Sequence, residues 1–377
     1  MSQRTSAWLA PFRNWRDRLL TSPDFQRRSL RIPVFRWVAR RRMRALFDLC
    51  SGFIYSQVLL ACIRLGLLER LAESPSDAGE PAAALDLPRA SLDRLLEAAQ
   101  ALRLIEARGG DTYGLGSLGA ALLGNPAVGR MIEHHSALYA DLSDPVELMR
   151  AEPGNTHLGR YWAYSGNERP DRLTGEDTDT YSDLMAASQD LIAEQVLAAY
   201  PLRGHRRLLD VGGGAGAFAL AAMRRYPSLE ACVFDLPSVS ERARELFAGS
   251  GVAERSSVQG GDFTSDPLPG GFDLVSLVRI LHDHNDDVVR ELLRSVRAAI
   301  APGGVILVAE PMRETPGAET VGAYFGFYLM AMGQGRPRSA RELASMLEEA
   351  GFSSVSLRRT SAPLLTRVLV ARAPDRP

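Results

Sequence analysis

The sequence predicts an α/β protein, with a parallel, doubly wound sheet in the second half of the chain and a smaller helical domain before it. Two observations carry this. From Leu208 onward, strand-like apolar runs alternate with helix-like segments, the rhythm of a parallel sheet covered on both faces. The first of those strands, Leu208-Leu209-Asp210-Val211, runs into Gly212-Gly213-Gly214-Ala215-Gly216, and Ala217-Phe218-Ala219-Leu220 opens a helix behind it. Such a glycine turn lets the backbone bend sharply and approach a ligand.

Bulk properties set the bounds. A chain of 377 residues can hold two domains and a sizeable core. A formal net charge of −1 gives no global reason to bind nucleic acid. Cys50, Cys62 and Cys232 are scattered in apolar runs and read as reduced core residues of a cytoplasmic protein, not as a disulfide frame or metal site. No run of 18 apolar residues and no signal-peptide core are present, so no bilayer span is expected. The sequence contains no lysine, which excludes lysine-based catalysis.

Residues 1–44 form a basic arm: twelve arginines face only Asp17 and Asp24, a net +10, leaving −11 for the remainder. Trp8, Phe12, Trp15 and Leu19 recur at helical spacing between the arginines, the composition of a segment lying on an anionic membrane surface. Packing against a partner subunit is the alternative, with nucleic acid third. Residues 45–170 are expected to form the helical domain. Ala45 to Leu71 has apolar positions at three- and four-residue intervals, interrupted at Gly52 and Gly66. Ala82–Leu85, Ser91–Leu102 and a hairpin around Gly109-Gly110 then suggest a winged-helix-like unit. A DNA-binding regulator is one reading of it. Yet Asp93 and Glu97 cancel Arg94 and Arg103 where a recognition helix would lie, which favours a dimerisation scaffold. The helical pattern continues to Leu197, with loops near Pro153–Asn155 and Pro170–Asp179. It contains Met131, His134, His135, Tyr139, Tyr161, Trp162 and Tyr164, a composition suited to one wall of a substrate pocket or simply to a core.

Residues 171–377 are expected to carry the sheet. Strands are predicted at Leu208–Val211, Leu229–Phe234, Ser257–Gln259, Phe272–Leu281, Val305–Ala309, Val355–Arg359 and Leu365–Ala371, the last two without an intervening helix and so antiparallel. Their ends bring Asp210, Asp235, Asp262, His282 and Glu310 to one edge, where ligands of such sheets bind. Gly212, Gly214 and Ala217 satisfy a dinucleotide fingerprint by spacing. Asp210 argues against it, because a carboxylate there repels a pyrophosphate and suits a cation. S-adenosyl-L-methionine brings an ammonium and a sulfonium and no phosphate; an NAD(P)-dependent reductase is the rival. Asp235 lies where an acid accepts ribose hydroxyls, and Asp262 can take the adenine amino group with Phe263 against the ring. His282 suits a general base, with Glu310 holding its tautomer. The run His282-Asp283-His284-Asn285-Asp286-Asp287 cannot converge on one ion, so no metal is expected, and Asp283 and Asp287 read as caps of the following helix.

Asp210-x-Gly-Gly-Gly-x-Gly, Phe234-Asp235-Leu236-Pro237, Gly261-Asp262-Phe263, Leu281-His282-Asp283 and Gly335-Arg336-Pro337-Arg338-Ser339-Ala340 together resemble the dimeric S-adenosylmethionine-dependent O-methyltransferases of plant phenolic and bacterial polyketide metabolism. The arginine-rich start, Arg160–Tyr164, Val278–His284 and Met332–Ala340 are more closely similar to the carotenoid 1-hydroxy (hydroxyneurosporene or demethylspheroidene) O-methyltransferases of purple photosynthetic bacteria. The resemblance covers residues 45–377. It implies a Rossmann-like methyltransferase sheet, a homodimer formed through the N-terminal domain, and His282 as base. It also implies cofactor contacts from Leu236 and Arg279 besides Gly212, Gly214, Asp235, Asp262 and Phe263. An apolar substrate would be walled by Met131, His134, His135, Tyr324 and Tyr328. Pro337 stands where plant members carry a second catalytic glutamate, so Glu310 is expected to act on the histidine alone. A methyltransferase for a tetrapyrrole or aromatic polyketide is the nearest alternative.

Overall fold

The computed structural model describes residues 10–77, 85–150, 155–162 and 189–375. Trp8, the segment Ala82–Ala84 and the loop at Pro170–Asp179 lie outside them. Two compact units result, residues 1–124 and 125–377.

The first unit starts with α1 (Ala10–Thr21) and α2 (Pro23–Ser29), followed by the 32-residue α3 (Pro33–Arg64). The sequence suggests a break at Gly52 and a boundary at Arg44/Ala45, but α3 passes through both. Nothing stands within 4 Å of a Cβ built on Gly52, and one helical glycine costs only about 1 kcal/mol. The break comes at Gly66, which adopts φ +61 and starts α4 (Leu67–Glu73). Next come β1 (Ser76–Asp77), α5 (Arg89–Ala101), the hairpin β2 (Ile105–Gly109) and β3 (Thr112–Leu115), and α6 (Ser117–Leu123). Leu67, Leu68, Leu71, Leu92, Leu96 and Ile105 close the core, and the expected hairpin pairs antiparallel. By length and composition α3 could cross a membrane, contrary to the expectation of no such segment. Little of it is buried: Leu46, Leu49 and Phe53 stay exposed, and so does Cys50, against its reading as a core residue.

The second unit opens with α7 (Pro126–Asp141), α8 (Pro145–Arg150) and α9 (His157–Tyr161), which the sequence pattern groups with the N-terminal domain. A helix through 189–199 precedes the sheet. Seven strands follow: β4 (Arg207–Val211), β5 (Glu230–Asp235), β6 (Ser256–Gly260), β7 (Phe272–Val278), β8 (Ile300–Glu310), β9 (Ser353–Arg358) and β10 (Arg367–Arg372). They lie in the order β6-β5-β4-β7-β8-β10-β9, parallel up to β8, with β10 antiparallel to both neighbours. Between them run α10 (Ala217–Arg225), α11 (Pro237–Ala248), α12 (Asp286–Ala299), α13 (Glu319–Met332) and α14 (Ala340–Glu349). Strand alternation separates the two faces. Leu208, Val233, Leu274 and Leu307 pack with Phe218 and Met223, whereas Leu209, Phe234, Val275 and Val308 pack with Leu292, Val296 and Leu347. Because β5 and β7 flank β4 on opposite sides, the chain reverses its winding at the end of β4, the crevice where such sheets bind ligands.

Candidate active site

The glycine turn after β4 occupies that crevice. Gly212, Gly214 and Gly216 all have positive φ (+66, +58 and +80), which disfavours any residue with a Cβ. Space is also restrictive at Gly212 and Gly213. A Cβ on Gly212 would lie 2.4 Å from Ile280 Cδ1, and one on Gly213 would lie 2.6 Å from Asp210 Oδ2.

The sequence places Asp210 at the strand tip; in the structure it is the next-to-last residue of β4, buried beneath the turn. Its Oδ1 accepts from Ser276 Oγ at 2.5 Å, while Oδ2 is buried without a partner. Burial pushes this carboxyl up to about 7, with the charge of Asp235 adding to the rise. Asp235, half-buried at the end of β5, accepts from Gly214 N and from Leu236 N at 2.7 Å each; burial raises it to about 6. The two acids and the glycine turn therefore form one cradle, in which Asp210 Oδ2 is a buried carboxylate oxygen without a hydrogen-bond partner. An ammonium-bearing ligand fits this donor set, and a pyrophosphate does not.

After β6, Asp262 Oδ1 closes a local turn on Thr264 N (2.8 Å) and Thr264 Oγ1 (2.7 Å). The Phe263 ring stands edge-on to His284, with centroids 5.2 Å apart.

His282 does not end a strand. β7 stops at Val278, Arg279 takes φ +60, and His282 sits in a single 3₁₀ turn, Leu281–Asp283. Arg279 thus occupies a conformation costly for a side chain, and the strain sits directly before the turn that holds the histidine. Glu310, the last residue of β8, holds this turn. Its Oε1 accepts from Ile280 N (3.0 Å) and Leu281 N (2.7 Å), and its Oε2 takes a short hydrogen bond from His282 Nδ1. Glu310 does not act alone, for Asp283 Oδ1 lies 3.3 Å from His282 Nε2. Burial works against an imidazolium here, but Asp283 and Glu310 outweigh it and His282 is raised above its ordinary range. Asp283 is the residue that sequence reasoning misses. Its pattern reads as a helix cap, yet the residue at the N-cap position of α12 is Asn285, and no side-chain cap bond forms there. Its adjacency to His282 is the available signal. Among the described residues no cluster of His, Cys, Asp or Glu suits a metal ion.

The expected pocket residues come together around α13. Tyr328 Oη lies 2.7 Å from His134 Nε2 and accepts from Trp162 Nε1 at 2.9 Å. Tyr324 Oη lies 2.7 Å from His135 Nε2 and 3.9 Å from Met131 Sδ. Burial lowers both histidines, His134 to about 4, and so disfavours their charged forms. Phe325, one residue from Tyr324, stands edge-on to the His282 ring with centroids 5.7 Å apart, which joins this aromatic wall to the histidine.

An O-methyltransferase domain model matches residues 139–353, and an O-methyltransferase dimerisation domain model matches 47–125. The demethylspheroidene O-methyltransferase of Cereibacter sphaeroides is 41% identical over 95% of this chain and 94% of its own. That of Rhodobacter capsulatus is 40% identical over 90% of this chain and 85% of its own. Human N-acetylserotonin methyltransferase, solved in complex with S-adenosylmethionine, superposes with a TM-score of 0.72 at 27% identity, covering 88% of this chain and 98% of that one.

Proposed function

This chain belongs to the S-adenosyl-L-methionine-dependent O-methyltransferases that carry an N-terminal dimerisation domain, and from that premise we propose that it methylates a tertiary 1-hydroxyl of an acyclic carotenoid, with His282 as general base. The observation that carries this reading is a buried histidine between two carboxylates, beside a cationic-ligand cradle, in a chain 41% identical to a demethylspheroidene O-methyltransferase along nearly its whole length.

The cofactor supplies an electrophilic methyl on a sulfonium. Asp210, Asp235 and the turn Gly212–Gly216 would hold its charged and ribose ends, with Leu236, Asp262, Phe263 and Arg279 around the remainder. His282 Nε2 takes the hydroxyl proton while the substrate oxygen forms its new bond to carbon. A tertiary alcohol is far less acidic than a phenol, so no alkoxide accumulates and the proton leaves as the methyl arrives. Glu310 keeps Nδ1 protonated, which leaves Nε2, beside Asp283, as the proton acceptor, and both carboxylates stabilise the imidazolium that forms. Alignment and exclusion of water supply most of the acceleration, and the aromatic wall of Met131, His134, His135, Tyr324 and Tyr328 provides both. Its tyrosine hydroxyls pair with the Nε2 atoms of the two histidines, which leaves a largely apolar surface for a polyene.

The dimerisation domain makes the protein a homodimer. The basic arm would lie on an anionic membrane, where such a substrate dissolves. Phe12, Trp15, Val34, Phe35 and Trp37 are exposed among the arginines there, which supports the assignment. The decisive experiment incubates enzyme and labelled cofactor with separate carotenoid, tetrapyrrole and phenolic extracts. Label in an acyclic hydroxycarotenoid is expected. Label in another class alone overturns the substrate, and His282→Ala should lower kcat by about 10²–10⁴.

A further inference from the structure

The turn that carries His282 is weakly held by its own backbone. Its internal bonds, Asp283 N to Ile280 O and His284 N to Leu281 O, are long at 3.2 and 3.4 Å. Glu310 ties down the N–H groups on the entry side, and the carbonyls on the exit side are held by a segment more than fifty residues away. Arg338, only 2% exposed, donates from Nη1 to Leu281 O in a short bond and from Nη2 to His284 O at 2.8 Å. Arg336 N donates to His282 O at 2.9 Å. The Arg338 guanidinium is itself fixed by Asp286, whose Oδ1 accepts from Nε at 3.0 Å and from Nη2 at 2.7 Å.

Resting on the reading of His282 as base, we infer that Arg338 is a positioning residue for His282: its Asp286-held guanidinium binds the carbonyls on either side of the histidine and so sets the ring against Glu310 and the substrate oxygen. The fork geometry suits two divergent carbonyls and one carboxylate at once, which a single ammonium cannot serve. Arg338 reaches this turn through its backbone carbonyls. The groups around the imidazole itself are Glu310 from β8, Asp283 and His284 from its own turn, Arg279 from the turn after β7, and Phe325 from α13. Freed of the clamp, the turn would let the ring drift from Glu310 and Asp283, and His282 would titrate closer to an ordinary histidine.

The test is imidazole NMR titration of the full-length enzyme with S-adenosylhomocysteine bound, His282 being assigned by comparison with His282→Gln, alongside kcat against pH and the cofactor dissociation constant. For Arg338→Met the expected results are a downward shift of the His282 titration, a loss of about 10² in kcat from misalignment, and unchanged cofactor affinity. Arg338→Lys should restore part of both. An unmoved titration overturns the inference, whether kcat is unchanged or falls only in step with the folded fraction. Should Arg338→Met fail to fold, Arg338→Lys and Asp286→Asn are titrated in its place: a downward shift supports the clamp, and an unmoved His282 overturns it. The titration needs no turnover, so a His282→Gln enzyme of full activity would refute the base assignment without touching this result.

Discussion

His282 Nε2 has to be unprotonated to accept a proton, yet two carboxylates stabilise its charged form. Activity should therefore rise with pH through a value above the ordinary histidine range. Removing the Asp283 charge lowers that value, so Asp283→Asn should move the rising limb of kcat/KM towards acid and make the variant relatively more active at low pH; an unmoved limb would separate Asp283 from the histidine. Asp210 and Asp235 have the opposite polarity. Burial raises both, to about 7 and about 6, and a bound cation favours their ionised forms. Cofactor binding should thus release protons near neutrality and weaken as pH falls below 7, which calorimetry in buffers of different ionisation enthalpy will measure. Which of these groups meet is legible in the sequence, because strand ends on a parallel sheet share an edge. The sinking of Asp210 under the turn is not, since its bond to Ser276 joins residues 66 apart.

Among the elements, the glycine turn offers the sharpest internal comparison. Gly214 has positive φ but open space around a Cβ, so Gly214→Ala should cost about 1 kcal/mol, the usual penalty for that conformation. Gly212 adds a clash with Ile280, a neighbour of His282 in sequence. Gly212→Ala should lower thermal stability more and also reduce kcat; equal effects from the two variants would show that the contact is relieved freely. Ser339 caps α14 with a complete capping box to Glu342, and Ser339→Ala should destabilise by about 1 kcal/mol in urea unfolding. Helices and strands of the sheet are legible because each strand alternates between two packed faces and α10, α11, α12 and α14 each have an apolar stripe. The exit from β7 is not. The strand is expected to continue to Leu281, and what ends it at Val278 is the Glu310 side chain taking two backbone N–H groups, a tertiary contact with no local signature.

For the whole molecule, the division into two units puts the aromatic helix α7 with the sheet, because His134 and His135 bond to tyrosines nearly two hundred residues later. Composition alone could not announce that pairing. Deleting residues 1–40 should weaken sedimentation with anionic vesicles, and high salt should mimic the deletion. Methyl transfer to detergent-dispersed substrate should survive; full vesicle binding by the truncated protein would remove the arm from that role. The last part of the arm joins its domain without a break, because α3 runs from Pro33 to Arg64, about 48 Å at the usual rise. Its arginine-rich end and the end that packs on α4 and α5 are one rod. If the first lies flat on lipid, the second is given a fixed tilt, and each N-terminal domain would be carried at a set angle to the bilayer, like a boat on its outrigger.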